Sequence, residues 1–100
     1  MTIEQIKKDL IEIRYYYSKQ RDFDSAAKTV GQCSIIEKVE RYNNAVRKAP
    51  AQLYDIYAAL YVYNNTQLAV SLDWDCSLDC IKRANSKLCN FLLEALNSAE

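Results

Sequence analysis

One glycine, Gly31, and one proline, Pro50, in 100 residues leave this chain almost without the turn residues that an all-β fold consumes. Helices are what remains. Half of the residues are apolar and the charges balance at thirteen of each sign, the composition of a folded globular chain and not of a disordered one. The expectation is an all-α protein: a single domain over residues 1–100, built as a small bundle of about five helices.

No apolar stretch approaches the roughly 20 residues needed to cross a bilayer. The apolar residues between Met1 and Ile13 are spaced helically among charges, unlike a secretory signal, so the sequence predicts a cytoplasmic protein that does not engage membranes. The four cysteines, Cys33, Cys76, Cys80 and Cys89, are then expected as reduced thiols in small core positions. Cys76 and Cys80 are four apart, as metal ligands on a helix would be. With no histidine to complete a set, no metal and no cofactor is expected.

Periodicity divides the chain. Ile3, Ile6, Leu10, Ile13 and Tyr17 recur at steps of three and four, predicting a helix from about Thr2 to Tyr17 with a charged outer face. Ser18 to Gly31 loses that spacing and reads as a fraying continuation or a linker, so residues 1–31 form an N-terminal helix and linker. Ser34-Ile35-Ile36-Glu37 matches a capping box, and Ile35, Val39, Tyr42 and Val46 give the helix it opens, residues 34–49, an apolar stripe. Arg47 and Lys48 are expected in its last turn, where cations suit the helix dipole. Pro50 ends it and starts the next helix as its first residue. That third helix carries Leu53, Ile56, Tyr57 and Leu60 to about Tyr63. After an Asn64-Asn65 turn, Thr66 caps a short fourth helix marked by Leu68, Ala69 and Leu72. Ser77 caps a fifth, carrying Leu78, Ile81, Leu88, Phe91, Leu92 and Leu96.

A short helix, a brief turn and a longer helix packed on a preceding one are the parts of a helix-turn-helix, so residues 50–96 are expected to form such a unit. Three runs carry a further resemblance: Ala49-Pro50-Ala51-Gln52-Leu53-Tyr54-Asp55-Ile56-Tyr57, Leu60-Tyr61-Val62-Tyr63-Asn64-Asn65-Thr66-Gln67-Leu68-Ala69 and Ile81-Lys82-Arg83-Ala84-Asn85-Ser86-Lys87-Leu88. They resemble the C-terminal half of small phage late-transcription regulators of the RinA and ArpU type, whose helix-turn-helix is similar to that of bacterial sigma factors. The resemblance implies a phage or prophage transcription regulator that binds double-stranded DNA and the host transcription machinery, with residues 34–49 as its lead-in helix. Ser77, Lys82, Arg83 and Lys87 are the DNA-binding candidates on the helix that would read the groove.

Charge pulls the other way. Residues 1–50 carry ten Lys and Arg against seven acids, whereas residues 51–100 carry three against six. Asp73, Asp75 and Asp79 cluster where phosphate oxygens would lie, and such a surface repels DNA. An oxygen cage for a cation would need a tight glycine-bearing loop that this turn lacks. Lys82, Arg83 and Lys87 read somewhat better as solvated positions pairing with Asp79 at helical spacing than as groove contacts.

Eight tyrosines are a heavy load for the length. Tyr15, Tyr16 and Tyr17 cannot all face one core, since successive helix positions diverge by about 100°. Tyr15 and Tyr16 are therefore candidates for a protein interface, and Tyr61 and Tyr63, with Tyr54 and Tyr57, for a second such surface. The plainer reading is that most of the tyrosines fill a core short of Leu and Phe, with self-association into a homo-oligomer burying the rest. The interface candidates support a second functional reading, a small adaptor or inhibitor that binds a protein. With no histidine, no glycine-rich phosphate loop and no acidic pair in a recognisable context, neither an enzyme nor a small-molecule substrate is expected.

Overall fold

The apolar spacing read from the sequence becomes an all-helical bundle in the computed structural model, which describes residues 1–19 and 34–98. Five helices run through those residues: α1 (Ile3–Ser18), α2 (Ser34–Val46), α3 (Ala51–Tyr57, continued by a π-helical turn over Ala58–Val62), α4 (Gln67–Asp73) and α5 (Leu78–Ser98). The expected linker up to Gly31, the thiol of Cys33 and the capping oxygen of Ser34 lie outside what is described.

The long helix α5 is the spine. Ile81, Ala84, Leu88, Cys89, Leu92 and Leu96 follow one another along its inner face, all buried, and α5 packs against every other helix. From the remaining helices the same core takes Ile6, Leu10, Ile13, Val39, Tyr42, Val46, Leu53, Ile56, Leu60 and Val70. Removing a large side chain from such a site, Leu92→Ala for instance, costs about 2–5 kcal/mol.

Helix starts follow local chemistry. The Thr2 hydroxyl accepts from the Gln5 amide, and that of Thr66 accepts from the Ala69 amide at 3.0 Å. Two boundaries differ from expectation by a residue or more. Pro50 is the cap of α3 and not its first helical residue: its ψ of 149° is extended, and its carbonyl accepts from the Leu53 and Tyr54 amides. Arg47 and Lys48 lie just past the end of α2, in a tightened turn where the Lys48 and Ala49 amides reach the Ala45 and Val46 carbonyls.

The sequence gives no warning of the π turn. The Tyr63 amide reaches the Ala58 carbonyl, five residues back, and the backbone and side chain of Asn65 both donate to the Ala59 carbonyl. Asn64 then takes a left-handed conformation, with φ 60°, that asparagine tolerates better than most residues. Its side-chain and main-chain oxygens accept from Nε and Nη2 of Arg14, both at 3.3 Å, tying α1 to the end of α3.

One charged residue sits in the core. Asp9 falls between Ile6 and Ile13 on the inner stripe of α1 and is 2% exposed. Its Oδ2 accepts from the Tyr42 hydroxyl at 2.6 Å, and its Oδ1 accepts from Gln5 Nε2 at 2.8 Å and lies 3.1 Å from Lys38 Nζ. Lys38 also pairs with Glu12, so the network clamps α2 onto α1. Burial pushes the Asp9 carboxyl up, but the bonds from Tyr42, Lys38 and Gln5 outweigh it and hold it below its ordinary value.

A carboxyl depressed in the fold stabilises it above the unfolded value of 3.8, and the contribution disappears as pH falls through the folded value. Asp9→Asn should therefore lower stability at neutral pH by about 1–3 kcal/mol and flatten the acid side of the stability profile. Urea titrations between pH 2 and 7 measure both effects.

Candidate functional site

The helix order α3–α4–α5 places a seven-residue helix and a short turn ahead of the 21-residue α5. Ser77 opens α5: its Oγ accepts from the Cys80 amide at 3.1 Å and its carbonyl from the Ile81 amide. Burial of Ile81, Ala84 and Leu88 turns Lys82, Arg83 and Lys87 outward, and all three are exposed. Asp79, Arg83 and Lys87 follow at steps of four, yet among the described residues no ion pair joins Asp79 to Lys82 or Arg83. Between Cys80 and Leu93 the helix carries these three cations and no carboxylate. Its first half therefore offers an exposed basic stripe beginning one turn after the cap.

Ahead of that stripe lies a surface of a different kind. Asp73, Asp75 and Asp79 are exposed, and Asp75 holds a left-handed φ of 53° where the chain turns into α5. The expected inner stripe of α4 is reversed. Leu68 and Leu72 are 58% and 74% exposed, and the buried positions are Val70 and Ser71. The reason is local: Ser71 satisfies its hydroxyl on the Leu68 carbonyl at 2.7 Å and receives the Cys76 amide on its own carbonyl, so a small polar residue fits against α5. Trp74 and Leu78 are also part-exposed, so four large apolar side chains reach water along the same stretch of chain as three exposed carboxylates.

The four interface tyrosines do not come together. Tyr16 is 6% exposed and belongs to the core, where its ring meets Tyr17 edge-on at 5.2 Å. Tyr61 turns inward and donates to Asn85 Oδ1 at 2.6 Å; burial pushes its hydroxyl up to about 12. Neither offers a free face. Tyr15 and Tyr63 are exposed but line separate depressions, Tyr15 a shallow apolar one with Ile11 and Ile35.

Tyr63 borders a cleft of about 190 Å³ together with Tyr17, Asn43, Arg47, Tyr54 and Tyr57. The π turn builds it. Tyr54 and Ala58 are four apart on α3, and the widened turn carries the line on to Tyr63, five further, while Tyr61 is displaced toward α5. Beneath, the Tyr57 hydroxyl donates to Asn43 Oδ1 at 2.6 Å, and Asn43 Nδ2 donates to the Tyr17 hydroxyl at 3.0 Å. Burial raises the Tyr57 hydroxyl well above its ordinary value, so it remains a donor. Spacing alone predicts neither this relay nor the cleft, because both depend on α1 and α2 meeting the irregular end of α3.

Cys76 and Cys80 lie within thiol hydrogen-bond reach of each other, and burial together with Cys80 raises the Cys76 thiol, disfavouring thiolate. Among the described residues no group of three or more Cys, Asp or Glu side chains is placed to hold a metal ion, and no helix is long and apolar enough to cross a membrane.

Left-handed geometry is harder for aspartate than for glycine. Asp75→Gly should raise the thermal midpoint, adding about 0.5–1 kcal/mol of stability, as read by calorimetry. Comparison with known proteins finds no matching family model, no similar curated protein and no similar solved structure.

Proposed function

We propose that this chain is a DNA-binding transcription regulator of the phage type, with a sigma-like helix-turn-helix formed by α3, α4 and α5. The observation that carries the reading is the exposed, acid-free stripe of Lys82, Arg83 and Lys87 on the helix that follows the turn. Groove-reading helices work by this division: an inner apolar face packs on the bundle and the outer face near the N-terminus meets the duplex. Ser77, the cap of α5, stands at the end that would approach the phosphates. Lys82, Arg83 and Lys87 supply the charge that releases counterions.

The sequence-derived alternative, a protein-binding adaptor or inhibitor, is favoured by a separate observation. Leu68, Leu72, Trp74 and Leu78 leave apolar surface in water beside Asp73, Asp75 and Asp79, which suits a partner with an apolar face and basic flanks. The two readings use different surfaces, so different substitutions separate them.

The combined change Lys82→Ala, Arg83→Ala and Lys87→Ala should weaken binding to restriction fragments of the encoding genome and make the log–log salt dependence shallower by roughly 2–3. Fluorescence anisotropy between 50 and 200 mM salt reads both, and binding indifferent to the triple change would contradict the DNA reading. Leu72→Glu should alter stability by less than about 0.5 kcal/mol and leave DNA affinity intact, while abolishing capture of any partner protein from host extract. Capture equal to that of the parent would count against the adaptor reading.

A further inference from the structure

The cleft behind Tyr63 has no part in either surface described above, and its chemistry is specific. Its walls are aromatic, with Tyr54 and Tyr63 46% and 73% exposed at the mouth and Tyr57 buried at the base. Its polar groups point to one kind of ligand. Asn43 has spent its oxygen on Tyr57 and one N–H on Tyr17, leaving the second N–H. The Tyr17 hydroxyl, having accepted from Asn43, has its own proton to give, and Arg47 spends one N–H on Asn44 Oδ1 and keeps others. Among the described residues no carboxylate lines the cleft. What it presents between flat aromatic walls is therefore mostly hydrogen-bond donors and one positive charge.

Arg47 opposes the cation that the tyrosine faces would otherwise attract, and none of the described acids lines the cleft to offset it. The cleft also gains less from a ligand that brings N–H donors, since only tyrosine hydroxyls remain to accept them. A ligand made of apolar rings and bare carbonyls fits both conditions. Proline is that ligand in peptide form: it has no N–H, its ring stacks on aromatic side chains, and in a polyproline II helix its carbonyls project outward as acceptors. At about 190 Å³ the cleft falls below the ~300–1,000 Å³ of pockets for drug-sized molecules, a size suited to one or two residues of a bound chain.

We propose that the cleft formed by Tyr17, Asn43, Arg47, Tyr54, Tyr57 and Tyr63 binds a proline-bearing, extended segment of a partner protein, with Tyr54 and Tyr63 gripping the proline ring and Asn43, Tyr17 and Arg47 donating to its carbonyls. The mode is aromatic-groove recognition of a preformed polyproline helix, which requires little ordering of the ligand on binding. The π turn contributes to it, because the widened turn sets Tyr63 beside Val62 in the lining while Tyr61 turns toward Asn85.

The test is a titration of the isotope-labelled full chain with a capped decaproline peptide, followed by NMR, with a Gly-Ser decapeptide as control. Saturable shifts at the Tyr54 and Tyr63 rings, the Asn43 side-chain amide and the Arg47 Nε, absent with the control, are expected. Tyr54→Ala and Tyr63→Ala alter exposed rings and should each weaken binding at least tenfold while circular dichroism is unchanged. No saturable shift at millimolar decaproline, shifts confined to other surfaces, or equal affinity in both variants would overturn the proposal. So would movement of the same resonances on dilution without peptide, which would assign the cleft to a second copy of the chain.

Discussion

Everything in this bundle is referred to the inner stripe of α5. Because Ile81, Ala84, Leu88, Cys89, Leu92 and Leu96 contribute to one core into which all the other helices pack, their burial sets which side chains of α5 face water. Lys82, Arg83 and Lys87 are outward for that reason alone. The same constraint orients α4: a helix of seven residues has one narrow strip to bury, and packing on α5 gives that strip to Val70 and Ser71. Two leucines are left in water as a consequence.

Around this spine the polar contacts do the locating. Burial of apolar surface is non-directional and leaves α1 free to slide or rotate. The Asp9 carboxylate, held by Tyr42, Lys38 and Gln5, permits one register between α1 and α2, and Arg14 fixes the far end of α1 on Asn64. Registered in this way, Tyr17 and Asn43 meet over the irregular end of α3 and complete the tyrosine-lined cleft. The contribution of Asp9 is one of specificity as much as of stability, since an apolar pair of similar volume could fill the space without choosing a register.

Much of this was legible in the chain before any coordinates. Scarce glycine and proline led to helices, and steps of three and four located them because burial of one face is what makes an amphipathic helix stable. Thr66 and Ser77 were readable as caps because a hydroxyl at a helix start has a definite chemical task. Asp9 stands between Ile6 and Ile13 at a stripe position, but spacing alone does not separate a buried, partnered carboxylate from one on the charged face, so its burial emerges only from the bonds of Tyr42, Lys38 and Gln5. Leu68 and Leu72 misled because two turns fit more than one apolar phase, and tertiary packing decides between them. The inward turn of Tyr61 and the cleft at Tyr63 follow from a widened turn and from contacts between residues distant in sequence, which no local pattern encodes.

In the proposed function, α5 divides into a face that holds the bundle and an outward basic face that would meet DNA. Amide chemical-shift mapping of the labelled protein against a genomic fragment that it retains at low salt tests this division most directly. The account predicts perturbations concentrated at Ser77, Lys82, Arg83 and Lys87, fading toward Leu96 and absent from α1. Perturbations centred on Leu68, Leu72 and Trp74 instead, or no fragment retained at all, would contradict it.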